Sequence, residues 1–225
     1  MLYKKILILG ESHTRQFAYV DNILPIFLGR GTLINLENIT NIKDTIDRVY
    51  KQYNQNEYIT FLYLGEPNCR IKLANHWTPH WDEIKHNKKI KSAVDKTYLI
   101  KCFENYETIL NIAEFIITPT SGYDPVIPSL IFFNNLLIQK YSNKVIDIFS
   151  NTIEGDKVKD YYKSPNWKDD PIHLNSRICS DFINILFDKK IINDKSIYKK
   201  QLDFNFGTHY LRSETNNKFG TIIVE

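Results

Sequence analysis

Lys4-Lys5-Ile6-Leu7-Ile8-Leu9-Gly10-Glu11-Ser12-His13-Thr14-Arg15 is the stretch that decides the fold. Its apolar part, Ile6 to Leu9, is shorter than the ~7–15 residues of a secretory h-region, and charged and polar residues follow at once. A continuous apolar run of this length that stops at a glycine reads as a buried parallel strand. Working outward, the same pattern recurs. Ser12 to about Ile23 reads as a helix with Pro25 beyond its end, and Ile26–Leu28 with Leu33–Leu36 as a second strand and loop around Gly29-Arg30-Gly31. Ile42–Tyr53 reads as a helix and Tyr58–Leu64 as a strand ending at Gly65. Residues 66–87 read as a long polar and aromatic loop, and Lys89–Ala113 as a helix. Glu114–Thr118, Pro128–Tyr141, Lys144–Phe149 and Asn175–Phe187 read as strand, helix, strand and closing helix. Alternating strands and helices imply a three-layer α/β/α domain with a five-stranded, mostly parallel sheet. The pattern predicts one domain over 1–189 and an extension over 190–225 packed on it as an added hairpin or an oligomer contact.

Composition narrows the function. The chain has 225 residues and is 43% hydrophobic, enough for a real core. A net charge of +3 with dispersed lysines does not argue for nucleic acid. Three cysteines, Cys69, Cys102 and Cys179, are far apart and form no CxxC, so neither a disulfide framework nor a cysteine zinc site is expected. No apolar run approaches the ~20 residues that cross a bilayer. A cytoplasmic protein with no membrane partner and no cofactor is the expectation.

In sheets of this kind ligands bind at the carboxyl ends of the strands, so the residues after each strand are the ones to inspect. After the first strand, Ser12 sits where a strand turns into a helix, a place that suits a nucleophilic hydroxyl or, more simply, an N-cap. After the third, Gly65-Glu66-Pro67-Asn68-Cys69-Arg70 offers an amide that can donate to an oxyanion, or a turn built on Pro67 and Asn68. Before the last helix, Asp169-Asp170-Pro171-Ile172-His173-Leu174-Asn175 places an aspartate three residues ahead of a histidine. That spacing lets the carboxylate hold Nδ1–H and leaves Nε2 free as a base.

These three blocks, in this order, resemble the SGNH/GDSL hydrolase superfamily over roughly residues 4–187. The resemblance implies a flavodoxin-like fold and a serine esterase. Ser12 would be the nucleophile, His173 the base and Asp170 its orienter, with Asp169 in reserve. Gly29 (or Gly31) and Asn68 would complete the oxyanion hole. Two departures stand out. Glu11 replaces the usual aspartate, and Asn68 lies three residues after Gly65, not two, as in a divergent branch with a Gly-Glu-x-x-Cys-Arg block in which Arg70 contributes. The family acts on esters of small acyl groups, often acetyl on carbohydrate, and the acyl-enzyme is resolved by water or by another alcohol.

The remaining histidines carry less. His76 and His80 are four apart with Pro79 between them, against the helix that a metal pair at that spacing needs, so no metal is expected. Trp77 and Trp81 suit a substrate wall or an aromatic minicore. His13 lines the site rather than acting as base, and His209 has no companion. The competing reading is a glycan-binding module with a degenerate SGNH site, using the Trp77/Trp81 loop as its surface.

Overall fold

The computed structural model describes residues 5–18, 20–28, 33, 36–71, 94–163, 172–200 and 221–222. The strands are β1 (Lys5–Gly10), β2 (Ile23–Phe27), β3 (Tyr58–Tyr63), β4 (Phe115–Ile117) and β5 (Val145–Ile146). They pair in parallel, in the order 2-1-3-4-5. Ile6 to Leu9 in β1 and Phe61 to Tyr63 in β3 are fully buried, because each of these central strands is covered on both faces.

The helices are α1 (Leu36–Gln52), the short α2 (Glu66–Ile71), α3 (Lys96–Glu107), α4 (Ile127–Tyr141), the single-turn α5 (Phe149–Thr152) and α6 (Ile178–Asp188). In α1, Ile39, Ile42, Ile46 and Val49 form one buried stripe; in α3, Leu99, Cys102, Phe103 and Tyr106 do the same. Asp95 caps α3 by accepting from the Tyr98 amide at 3.0 Å. Helix α3 touches both α1 and α4, whereas α6 packs on the turn that follows β1. The order reverses between β1 and β3, so right-handed crossovers send the chain to opposite faces on either side of that point. In open sheets of this kind the place where ligands bind is the carboxyl ends of the strands at such a reversal, here β1 and β3.

Several expectations are corrected. The helix expected from Ser12 to Ile23 is a 3₁₀ turn over Ser12–Phe17, and Pro25 lies inside β2. The strand expected around residues 26–36 ends at Phe27, and α1 begins at Leu36. The start of the loop expected over 66–87 is helical, and the fifth strand is two residues long. A small hairpin, β6 (Ile153–Glu154) with β7 (Lys157–Val158), was not legible in the apolar pattern. Two described pieces of the tail meet the sheet side of the chain. Asp21 N donates to Lys199 O at 2.9 Å, and β8 (Thr221–Ile222) adds a sixth, antiparallel strand on β2. That strand protects the edge that β2 would otherwise expose. No described helix is long and apolar enough to cross a membrane.

Candidate active site

Two glycines shape the chain at the carboxyl ends of β1 and β3. A Cβ on Gly10 would lie 2.2 Å from Tyr63 O and 2.6 Å from Thr14 Cγ2, so only glycine lets the end of β1 lie this close to β3. Gly65 has φ +125°, and a Cβ there would meet Phe133 Cε1 at 2.8 Å. From these points the chain turns into the 3₁₀ turn carrying Ser12 and into α2 carrying Glu66, Asn68 and Arg70.

Ser12 is half-buried, and its Oγ lies 2.8 Å from Nε2 of His173, a residue 161 positions away in sequence. His173 is brought there by a tightly held loop. Ile172 O accepts from Gly122 N at 2.6 Å, Leu174 O from Gln16 Nε2 at 3.4 Å, and Asn175 N donates to Tyr162 O at 2.9 Å. Asn175 Oδ1 takes the Arg177 amide at 2.9 Å, turning the chain into α6. Asp169 and Asp170 lie outside the described residues, as do Gly29, Gly31, Trp77, Trp81, His76, His80, His86 and His209. Leu28 N donates to Gly10 O at 2.7 Å, which brings the chain entering Gly29 against the end of β1.

Beneath Ser12 lies a buried polar network that the sequence reading largely missed. The Glu11 carboxylate accepts from Glu66 N at 3.1 Å and Gly65 N at 3.4 Å, tying the turn after β1 to the turn after β3. Its Oε1 lies 3.6 Å from His13 Nδ1. Glu66, fully buried, takes a two-pronged contact from Arg70, with Nε–Oε1 at 2.9 Å and Nη2–Oε2 at 3.2 Å. Ser121, just after β4, lies 3.3 Å from both Glu66 Oε1 and Ile172 O. The strand-end rule that picked out Ser12 and Asn68 points to Ser121 as well.

Burial pushes the Glu11 carboxyl up, and its contact with His13 does not fully offset this. Burial pulls His13 down, but Glu11 and Glu66 outweigh it and leave the imidazole above its ordinary range. Glu66 is pushed up by burial yet ends below the usual carboxylate range, held there by Arg70 and His13. Glu11, His13 and Glu66 are the one group of metal-ligating types clustered among the described residues. Glu11 accepts from two backbone amides, Glu66 is paired with Arg70, and His13 Nδ1 faces Glu11 at 3.6 Å.

Two expected site residues turn out differently. His13 is fully buried and so does not line an open site. Asn68 is also fully buried: its Nδ2 donates to Cys102 Sγ at 3.4 Å and its Oδ1 accepts from Leu33 N at 3.2 Å. Those bonds make it a tether for the chain after β2, since Asn105 Nδ2 grips Leu33 O at 2.8 Å from the other side. The reason is the early helix: α2 begins at Glu66 and carries Asn68 within it. Arg70 is committed to Glu66.

No family model matches the chain, and searches of curated proteins and of solved structures give no significant match.

Proposed function

We propose that this chain is a serine hydrolase of the α/β class, working from the carboxyl ends of β1 and β3. More particularly, we read it as an esterase of the SGNH/GDSL type that cleaves or transfers a small O-acyl group, acetyl first among them, on a carbohydrate or other small ester. The observation that carries the reading is the 2.8 Å contact between Ser12 Oγ and His173 Nε2. The two groups are 161 positions apart in sequence, and their distance suits a nucleophile and its base.

In this reading the Ser12 hydroxyl gives its proton to His173 Nε2 as Oγ attacks the ester carbonyl. His173 then returns the proton to the leaving alkoxide. Asp170 takes the Nδ1–H side and stabilises the imidazolium. Backbone N–H groups of Ser12 and Gly29 hold the oxyanion. Asn68 acts through the loop it tethers. Water completes an esterase cycle, and a sugar hydroxyl completes an acyl transfer.

The test is hydrolysis of 4-nitrophenyl acetate and butyrate by the wild type beside Ser12→Ala and His173→Ala, with fluorophosphonate labelling of each. Turnover and labelling that vanish in both variants support the reading. Undiminished labelling of Ser12→Ala removes Ser12 from the role. The binding-module reading is favoured by one observation, the engagement of the Asn68 amide with Cys102. Glycan binding that survives Ser12→Ala, with no hydrolysis of any short-chain ester, would select it.

A further inference from the structure

The turn that carries Ser12 also grips the chain on both sides of His173. His13 Nε2 lies 3.4 Å from Ile172 O, and Gln16 Nε2 lies 3.4 Å from Leu174 O. The His13 ring lies against that of His173, with centroids 4.7 Å apart. One short 3₁₀ turn, Ser12–Phe17, thus presents the hydroxyl and holds both carbonyls that flank the base.

A carbonyl only accepts, so the contact with Ile172 requires a proton on His13 Nε2. The other ring nitrogen, Nδ1, is buried, has no hydrogen bond of its own, and faces Glu11 Oε1 at 3.6 Å. A neutral imidazole must turn a lone pair toward one of these two acceptors. An imidazolium satisfies both. Glu66 already has Arg70, so the local charges balance when Glu11 and His13 form the second pair.

We propose that His13 is a positioning residue for His173: held as an imidazolium between the Glu11 carboxylate and the Ile172 carbonyl, it sets the distance from His173 to Ser12. This rests on the esterase reading for its catalytic consequence, though not for the geometry. The titratable groups facing the pair come from every element packed on it: Glu66, Cys69 and Arg70 of α2, Tyr63 of β3, Tyr106 of α3 and His173 ahead of α6. Of these, Arg70 opposes the charge and is paired with Glu66, and His173 opposes it whenever it carries a second proton. When His13 loses its proton at alkaline pH, one of its two contacts becomes a lone pair against an acceptor, and the hold on Ile172 weakens.

The experiment uses wild type, His13→Leu and His13→Gln. Glutamine carries an N–H donor near the position of Nε2 but cannot be charged. Nitrogen-15 spectra of the histidine rings should show His13 with both nitrogens protonated near neutral pH, a signal absent from His13→Gln. A crystal structure of His13→Leu should show His173 Nε2 withdrawn from Ser12 Oγ. A misplacement of about 1 Å would lower kcat about 10²-fold with KM little changed. His13→Gln should recover most of that rate and lose the alkaline decline of the wild type. A singly protonated His13 near neutral pH overturns the proposal, as does a His13→Gln as slow as His13→Leu. An unmoved His173 in the His13→Leu structure overturns it too. If the wild type neither hydrolyses esters nor reacts with fluorophosphonate, the esterase reading falls by itself, and the spectra and structure still decide the role of His13. Should His13→Leu not fold, the spectra and His13→Gln decide it.

Discussion

Replacing Gly10 by alanine probes the fold and the site together. The new Cβ would sit 2.2 Å from Tyr63 O, roughly 0.8 Å inside the 3.0 Å that real Cβ atoms keep, and 2.6 Å from Thr14 Cγ2. Both neighbours are constrained. Tyr63 O belongs to β3 and accepts the Glu11 amide at 3.2 Å, while Thr14 Oγ1 is bonded to Glu11 O at 2.8 Å. Relief therefore means prising β1 from β3 at their carboxyl ends. Overpacking of this kind costs ~1–3 kcal/mol. Loss of the Glu11–Tyr63 bond adds ~0.5–1.5 kcal/mol. At ~2–4 °C per kcal/mol for a chain of this size, Gly10→Ala should lower Tm by roughly 3–18 °C. Because Ser12 is two residues on, the same displacement should slow fluorophosphonate labelling by about 10²-fold under conditions where the variant is still folded. Calorimetry and a labelling time course read the two effects. A Tm within about 1 °C of wild type, with wild-type labelling, would refute the claim that close strand approach at Gly10 places Ser12.

Other consequences are checked more briefly. His13 is held above the ordinary 6.5, so its contribution to stability is complete below that value and is lost as pH rises through its folded pKa. Denaturant titrations should show stability falling on the alkaline side in the wild type, and the decline should shrink in His13→Gln. Glu66 is held below the ordinary 4.5, so its contribution is present above that value and disappears as pH falls through the lower folded one. Glu66→Gln should flatten this acid limb and, by removing the negative charge that Arg70 meets in a two-pronged contact, destabilise the fold by about 3 kcal/mol at neutral pH. Ser121→Ala removes a hydroxyl shared between Glu66 and Ile172; urea unfolding should register about 1 kcal/mol. Asn105→Ala releases Leu33 O and should cost a similar amount while slowing labelling up to about 10²-fold, because the chain after β2 loses half its tether.

How much was legible follows from the range of each interaction. The strands β1 and β3, the helices α1, α3, α4 and α6, and the candidate pair Ser12 and His173 were all visible, because each announces itself by local periodicity or by a short motif at a strand or helix end. The 3₁₀ turn after β1 escaped because apolar spacing over Phe17, Val20 and Ile23 fits a helix equally well. In the structure, parallel pairing with β1 claims Ile23 to Phe27 for β2. Pairing energy from a neighbouring strand outweighs local preference, and no local pattern reports it. Asn68 escaped for a related reason: the motif suggests an exposed donor, whereas α2 begins early and turns the amide toward Cys102 of α3.

The sequence alone determined the alternation of buried strands and amphipathic helices, and with it a parallel sheet whose strand ends carry Ser12 and Asn68, with His173 ahead of the closing helix. Those are properties of neighbours within a few residues. The tertiary structure decided that Ser12 meets His173 at 2.8 Å, that Glu11 joins two strand ends, and that His13 is a buried partner of the His173 loop rather than a residue facing substrate. These depend on groups more than fifty positions apart, brought together by the reversal of strand order between β1 and β3 and held there by polar atoms that, once buried, must find partners.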